Sequence, residues 1–434
     1  MNKKLLAVAV AAALAPALSQ AQSSSVVLSG ALNLFHQNIS ASGASAGNAN
    51  IVSRNGIQEG NGSNIRFYAE EDLGNGLKAW GQVESAVFLN ADTRVNAAGT
   101  AAGGAGTWGN RNSGVGLKSA AWGGILLGVW DVHYHTQYGT DPSLLKGASH
   151  QSTLGLLNNM GTGSYSIGGR YSNVIRYDSP NWNGFTVGAA YARPTDGVVP
   201  TGSAATANLL DGKKNNVISI NPSYSNGPFN IFYSYLKDAD VAGGAAQAAK
   251  GGALFTAAGG VGALPAGLTL SDVRSDRAGG SWKFPFGLQV GLIYDRTKYS
   301  NQHQATAAAA GLGLAVGTGY SSDQKRTVWA IPLVYDFGNH TVNFTYAKAS
   351  DITGSFSTPA GSTSGKISAT GAKMWQLGYQ YAMSKRTNIH ASYTRINNDS
   401  NANYDGFANG VGLGAAGNNG ADPTYVVVGL RHTF

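Results

Sequence analysis

The sequence contains no cysteine and has little charge. Of its 434 residues none is Cys, and only 12% are Asp, Glu, Lys or Arg. Without cysteine, a disulfide framework and cysteine-based zinc or iron–sulfur sites are excluded. A soluble globular domain usually has about 25% charged residues, so this composition argues against an ordinary soluble protein. Disorder is also disfavoured, because disordered chains are rich in charge and poor in aromatic residues, which make up 10% of this chain.

Long apolar runs are missing from all of the chain except its N-terminus. Residues 1–21 read MNKKLLAVAVAAALAPALSQA, in which Lys3 and Lys4 precede a 14-residue apolar run. The run is too short to cross a membrane, and its basic start and small final residues predict a secretory signal peptide that is cleaved after Ala21. Residues 22–434 are then expected to form one domain without a transmembrane helix. Losing the two lysines lowers the formal net charge from +8 to +6.

The abundant features are glycine and a two-residue alternation of apolar and polar side chains. The chain has 61 glycines, about twice the usual share of roughly 7%. In PTYVVVGLRHTF (423–434), Val426, Val428 and Leu430 fall on one face of a strand. The opposite face is polar but scarcely charged, and no segment has a convincing helical period. The same alternation occurs at 64–70, 184–192, 287–296, 341–348 and 374–382.

Two kinds of connector alternate along the chain. Short ones are rich in Gly, Asn, Pro and Asp, which build tight turns, and long ones are rich in Gly, Ala, Ser and Asn. Seven short and eight long connectors predict 16 strands. The short connectors are 72–76, 120–124, 179–184, 225–228, 284–287, 337–340 and 383–386; the long ones are 40–60, 90–106, 133–163, 193–213, 238–271, 300–324, 350–370 and 397–422.

Sixteen strands with an apolar face and an uncharged polar face need an environment for both faces. In an outer membrane, the apolar face meets lipid and the polar face lines water. A tilted strand crosses with about 9–11 residues, and only a closed barrel satisfies its backbone groups in lipid. An even strand number, with short turns at one end and long loops at the other, is typical of such barrels. The pattern predicts an all-β fold, a closed 16-stranded antiparallel transmembrane β-barrel with room for an aqueous channel.

The chain also resembles a known family, the general trimeric porins of Gram-negative outer membranes, in particular the betaproteobacterial type. The resemblance implies a homotrimer in contact with outer-membrane lipid and lipopolysaccharide. It also implies that the third long loop, 133–163, folds into the barrel and narrows the pore. The motifs involved are the N-terminal signal, VVLSGALNLF (26–35), EEDLGNGLKAWGQVES (70–85), GNRNSGVGLKS (109–119), VIRYDSPNWNGFTVGAAYA (174–192) and GLRHTF (429–434).

In that family, arginines on the barrel wall face acidic and polar groups of the inserted loop. Arg170 and Arg176 are six residues apart, so simple alternation places them on one strand face, which we expect to be the lumen. Arg111 matches the arginine of the family's N-R-x-x-x-V-G-L run, although alternation puts it on the face of the apolar Val115. Arg66 lies on the polar face of 64–70, two residues after the position where relatives often have arginine.

The expected acidic partners are Asp131 and Asp141, although the loop lacks the Pro-Glu-Phe motif common in relatives. Fixed charges at a constriction set the selectivity of a pore, and arginine keeps its charge at any working pH. We therefore expect passive diffusion of small hydrophilic solutes and ions through the outer membrane, with a preference for anions.

Other functions were weighed against this one. A channel specific for small, possibly aromatic, anions remains an alternative, because Trp130, Tyr134 and Tyr138 lie near the third loop. An adhesin with ligand-binding loops also remains open. An outer-membrane hydrolase lacks convincing partners for the eight histidines, so no enzymatic activity, metal or cofactor is expected. Nucleic-acid binding is disfavoured, because no run of Lys and Arg is longer than two.

Overall fold

A computed structural model gives the fold of most of the chain beyond the expected signal segment. Residues 1–21 lie outside the described part, and so does the cleavage site predicted after Ala21. Among the described residues, no helix has the length and hydropathy needed to cross a membrane. The described residues are 24–45, 51–59, 63–87, 89, 108–132, 134, 154–158, 167, 169–193, 216–243, 268–304, 319–358, 361–406 and 419–434.

These residues form nineteen strands and one short helix. The first strands are β1 (Ser24–Ser42), β2 (Ile51–Glu59), β3 (Asn64–Gly74), β4 (Leu77–Ala86), β5 (Ser113–Ser119), β6 (Gly123–Asp131), β7 (Arg170–Asp178), β8 (Phe185–Ala192), β9 (Asn216–Asn226) and β10 (Phe229–Gly243). The others are β11 (Leu268–Lys283), β12 (Leu288–Gln304), β13 (Gly319–Phe337), β14 (His340–Ala349), β15 (Ile352–Thr358), β16 (Gly361–Ile367), β17 (Ala372–Ala382), β18 (Thr387–Asn398) and β19 (Asp422–Thr433). The helix α1 is Leu154–Leu157.

The strands pair antiparallel into a single closed sheet. β1 pairs with β19 on one side, from Ala31 opposite Thr433 to Ser42 opposite Asp422. On its other side β1 pairs with β3 and β2. The first and last strands are therefore neighbours, and the ring closes without an unpaired edge in the described sheet. The predicted closed antiparallel barrel is confirmed.

The nineteen strands correspond to sixteen barrel strands. β2 and β3 both pair with β1 and together form one interrupted strand. β14 and β15 both pair with β13 and form a second one. β16 pairs with β15, and β17 pairs with β14, so β16 and β17 form a third. The strand number predicted from the connectors is confirmed.

Two predicted long loops contain strands that were not predicted: 40–60 contains β2, and 350–370 contains β15 and β16. Residues 350–370 contain β15 and β16, which pair from Ile352 opposite Ile367 to Thr358 opposite Gly361. β15 also pairs with the end of β13 that lies beyond β14. The Gly- and Ser-rich composition predicted an irregular loop, but the long neighbouring strand supplies backbone partners that the local sequence does not reveal.

The two faces of the barrel differ sharply in chemistry. In β19, Val426 and Val428 are exposed on the outside, whereas Val427 between them is 2% exposed. Polar side chains are buried on the inner face, where a soluble protein would bury apolar ones. The outward apolar residues include Phe67, Val83, Val115, Ile175, Ile231, Leu292, Phe344, Leu377 and Leu430, and the buried polar ones include Ser234, Ser275, Thr297, Thr345, Gln376 and Thr394.

Candidate functional site

The described parts of the third long connector lie inside the barrel. Leu156 and Leu157 of α1 are completely buried, and they pack against Ile293, Val328 and Ala347. Those wall residues face inward, because their neighbours Leu292 and Phe344 are exposed on the outer face. The described residues of the connector therefore lie in the lumen, as predicted.

Two wall arginines bind this inserted segment. Arg277 on β11 and Arg326 on β13 flank Asp295 on β12, and all three side chains are 0% exposed. Arg277 Nε lies 2.9 Å from Asp295 Oδ2, and Arg326 Nη2 lies 3.0 Å from Asp295 Oδ1. The single carboxylate of Asp295 balances the charge of only one of the two guanidinium groups. Arg277, Asp295 and Arg326, called the triad below, therefore retain a formal charge of +1.

The remaining guanidinium donors bind the inserted segment itself. Arg277 Nη2 donates to Asn158 Oδ1 at 2.7 Å, and Arg326 Nη2 donates to the Leu157 carbonyl at 3.0 Å. Arg326 also donates to the Leu156 carbonyl. These carbonyls belong to the last residues of α1, where the partial negative charge of a helix is found. Buried charges must be paired and hydrogen-bonded to be tolerated, so the triad fixes the segment against β11–β13.

Tyr134 joins the other end of the inserted segment to the same triad. Its side chain is fully buried, and its hydroxyl donates to Asp295 Oδ2. Burial raises the pKa of this phenol, so the hydroxyl stays protonated and remains a donor. Its backbone carbonyl accepts from Arg277 Nη1 at 3.3 Å.

Arg176 points toward the lumen from β7. Its neighbour Ile175 is exposed on the outer face, so alternation directs Arg176 inward. The guanidinium makes two bonds to Asp178, from Nε at 2.8 Å and from Nη2 at 3.0 Å. Nη1 donates to the backbone carbonyl of Asp131 at 2.9 Å. The side chain thus spans from the wall to the base of the inserted loop.

Arg170 and Arg176 do not share a face of β7, contrary to the simple alternation rule. Gly128 pairs with Val174 and Trp130 with Tyr171, so β7 has one more residue than β6 in this interval. Such a bulge reverses the alternation of side chains. The Tyr171 hydroxyl donates to Asp238 of β10, a strand that is not adjacent in the ring, so Tyr171 faces the lumen.

The Arg170 side chain binds residues of β6 and of the segment before β5. Its Nη2 lies 3.1 Å from Asp131 Oδ2, and its Nε donates to Asn112 Oδ1 at 2.8 Å. Nη1 donates to the backbone carbonyl of Asn110. Arg170 and Asp131 therefore form an ion pair, and with Asn112 this pair ties β6 and β7 to the segment before β5.

Arg111 forms an ion pair with Glu84, and Arg66 lies opposite the same glutamate in the strand register. Arg111 Nε lies 2.5 Å from Glu84 Oε1, and Arg66 is the register partner of Glu84 on the neighbouring strand. Phe67 and Val83 are exposed on the outer face, so Arg66 and Glu84 point inward. Arg111 precedes the start of β5, and strand alternation therefore does not fix its direction.

The six predicted site residues are thus only partly brought together. Arg170 and Asp131 lie at the ends of β7 and β6 next to the third connector, and Arg111 lies just before β5. Arg176 lies nearer the short-turn end of β7, and Arg66 lies opposite Glu84 on β3. Asp141 lies outside the described residues.

The triad of Arg277, Asp295 and Arg326 was missed by the sequence analysis. Alternation places Asp295 on the polar face of 287–296, and that was the available signal. The partners on two other strands and in the loop are between 18 and 170 residues away along the chain, so no local pattern connects them.

Comparison with known proteins identifies the family. A family model described as Gram-negative porin matches residues 7–401. The chain belongs to the Gram-negative porin family. An outer membrane porin protein of Bordetella pertussis is 28% identical over 402 residues, which is 88% of this chain and 84% of that protein. The major outer membrane protein P.IB of Neisseria gonorrhoeae is 33% identical over 192 residues, 44% of this chain and 48% of its own.

Solved structures support the same fold. The anion-selective porin from Comamonas acidovorans matches this porin with a TM-score of 0.62 at 20% identity, covering 95% of this chain and 100% of that one. In-vitro folded OmpT of Vibrio cholerae, in its trimer form, matches with a TM-score of 0.57 at 13% identity over 95% and 100% of the chains. This porin is therefore a channel protein of the bacterial outer membrane, with a barrel that places apolar side chains in lipid and polar ones in the lumen.

Proposed function

We propose that this porin is a water-filled channel for passive diffusion of small hydrophilic solutes and ions, and that it prefers anions. The supporting observation is a surplus of arginine at the inserted loop. Around its base, three arginines (Arg66, Arg111 and Arg176) accompany two carboxylates (Glu84 and Asp178). The buried triad has the same surplus of one. A lumen with fixed positive charge attracts anions and repels cations.

Arg66 contributes its charge, and not a free donor, to the lumen. Its Nε is buried and has no hydrogen-bond partner among the described residues, so this nitrogen does not contact a passing ion. The guanidinium keeps its positive charge at any working pH, and fixed positive charge in the lumen favours anions. Arg66, Arg111 and Arg176 are the arginines we expect to act on permeating ions, whereas Arg170 and Asp131 position the base of the loop.

The test is a planar-bilayer recording of the purified protein under a potassium chloride gradient. We expect a reversal potential whose sign shows that chloride is more permeant than potassium. Arg176→Glu should move the reversal potential toward cation preference. Lys366→Glu is the matched control, because Lys366 lies on the hairpin β15–β16 and its side chain is 65% exposed. Cation preference in the parental channel would contradict the proposal.

The assembly and maturation of this porin are part of the same proposal. OmpT of Vibrio cholerae is described in a trimer form, and we propose a homotrimer here, embedded among outer-membrane lipids and lipopolysaccharide. Conductance steps in groups of three and the mass of the detergent-solubilised complex test it. We also propose removal of residues 1–21, leaving 22–434 as one barrel domain, which mass spectrometry of the mature chain would show by an N-terminal Gln22.

The channel is proposed to have no catalytic role, and lipase and protease assays of the pure protein are expected to be negative.

A second candidate function, a channel with a site for small aromatic anions, is favoured by a recess in the wall near the short-turn end.

A further inference from the structure

The wall of the lumen has a recess at the end of the barrel that has the short turns. It has a volume of about 740 Å³ and lies between β3–β6 and the start of the turn after β7. Its lining includes Tyr68, Lys78, Trp80, Lys118 and Trp130. Asp178, which Arg176 binds, also lines the recess, so the recess adjoins that arginine. None of the five side chains named above belongs to the loop-binding triad.

The recess exists because inward positions on two adjacent strands have no side chain. Lys118 pairs with Gly124, and Gly116 pairs with Leu126. Lys118 is an inward residue, because it pairs with Lys78 and its amino group donates to the inward-facing Tyr68 hydroxyl. Gly116 and Gly124 therefore leave the inner wall bare where other strands present side chains.

An aromatic wall fills one side of this gap. The Trp80 and Tyr68 rings are stacked with centroids 5.9 Å apart, and Trp130 meets Trp80 edge-on at 5.7 Å. The indole of Trp80 lies against Gly116, where a methyl group would be only 2.8 Å from the ring. All three rings are partly exposed, so they offer apolar surface to the lumen.

A cationic edge adjoins the aromatic wall. Lys78 Nζ lies 2.6 Å from Glu70 Oε1, and Lys118 pairs with the other oxygen of the same carboxylate. Two ammonium groups thus share one carboxylate, and the group has a surplus positive charge. Lys118 Nζ is 5.5 Å from the centre of the Tyr68 ring, so the charge and the apolar surface lie within the span of one small molecule. Both lysines keep about two fifths of their side chains exposed.

We propose that this recess is a binding subsite for small aromatic carboxylates, with the carboxylate at Lys118 and Lys78 and the ring against Trp80 and Trp130. A flat ring fits beside the indoles, because aromatic pairs attract beyond the area they bury. A neutral ring would lack the ionic contact, and a small aliphatic anion would lack the ring contact. The inference rests on the proposed channel function and adds a solute class to it.

The experiment compares benzoate with acetate as blockers of single-channel current in the reconstituted protein. In the parental channel, benzoate should halve the current at about one tenth of the acetate concentration. Trp80→Leu should remove most of this difference. Lys118→Gln should raise the half-blocking concentration of benzoate roughly fivefold. This factor corresponds to the upper end of the interaction energies measured for exposed ion pairs.

Lys283→Gln is the matched control. Lys283 also lies near a short turn and is paired with an aspartate, Asp336, at 3.4 Å, but it does not line the recess. It should leave the half-blocking concentration of benzoate unchanged. Trp130→Leu is a second aromatic variant, which keeps the test available if Trp80→Leu does not fold into a barrel.

The outcomes separate this inference from the channel function. Potassium chloride conductance and reversal potential are measured first in the same membranes, and calorimetric titration of the detergent-solubilised protein with benzoate reports binding without conduction. Equal block by benzoate and acetate in a conducting, anion-preferring parental channel would overturn the subsite and leave the channel proposal intact. Equal sensitivity of the Lys118→Gln and Lys283→Gln channels to benzoate would also overturn it.

Discussion

The guanidinium of Arg277 lies over the ring of Tyr134, with 4.3 Å between Cζ and the ring centroid. The two residues are 143 positions apart, one on the barrel wall and one in the inserted connector. Their contact, together with the shared carboxylate of Asp295, shows that the third connector is attached to the wall opposite its own strands. We therefore expect a permeating solute to pass between this attachment and the inward arginines of β3–β7.

The Tyr134 hydroxyl should contribute measurably to this attachment. In Tyr134→Phe, Asp295 loses a buried donor, and we expect the free energy of unfolding to fall by about 1–3 kcal/mol. Thermal unfolding in detergent measures this change. Tyr233→Phe is the control, because the Tyr233 hydroxyl also donates to an aspartate, Asp276, but from the exposed outer surface. An equal loss of stability in both variants would contradict a special role for the buried contact.

Asp295→Asn should release the inserted segment. The substitution leaves Arg277 and Arg326 buried without their shared counter-charge, at a cost of about 3–5 kcal/mol. We expect larger and noisier single-channel currents, because the segment no longer narrows the lumen firmly. Asp323→Asn is the control, since Asp323 pairs with Lys298 at 3.2 Å while both side chains are about two fifths exposed. Unchanged conductance in Asp295→Asn, with the barrel intact, would show that the triad does not hold the constriction.

The reversed alternation in β7 predicts different effects for its two arginines. Arg176→Gln removes a lumen charge and should reduce the chloride-to-potassium permeability ratio. Arg170→Gln removes a bond to the segment before β5, and should lower the unfolding temperature more than it changes selectivity. Reversal potentials and melting curves of the two variants measure both effects. A larger selectivity change for Arg170→Gln would place that side chain in the ion path instead.

The seam of the barrel should be sensitive at Gly30. The backbones of Gly30 and Phe434 exchange two hydrogen bonds, at 3.0 and 3.1 Å, and a Cβ on Gly30 would approach the Phe434 ring to 2.6 Å. Gly30→Val should therefore lower the temperature at which the barrel loses its compact electrophoretic mobility. Gly81→Val is the matched control, because a Cβ there meets its neighbours at ordinary distances of 3.8 Å or more. Equal mobility of both variants at every temperature would contradict the close packing at the seam.

Local sequence patterns were sufficient to predict the closed barrel. The two-residue alternation at 287–296 predicted which side chains meet lipid, and the order of short and long connectors predicted sixteen strands. Both are local features, because side-chain direction in a strand depends only on position along it. The hairpin β15–β16 escaped prediction, since its pairing depends on how far β13 extends beyond the membrane.

What the sequence alone determined is the class of protein, a closed barrel with an apolar outside, because the alternation of apolar and polar side chains is a property of consecutive residues. Only the tertiary structure decided the site. A single extra residue in β7 separated Arg170 from Arg176, and strands far apart in sequence brought Arg277, Asp295 and Arg326 around the inserted segment. Charge pairs of this kind depend on register and on distance in space, and neither is visible in a run of neighbouring residues.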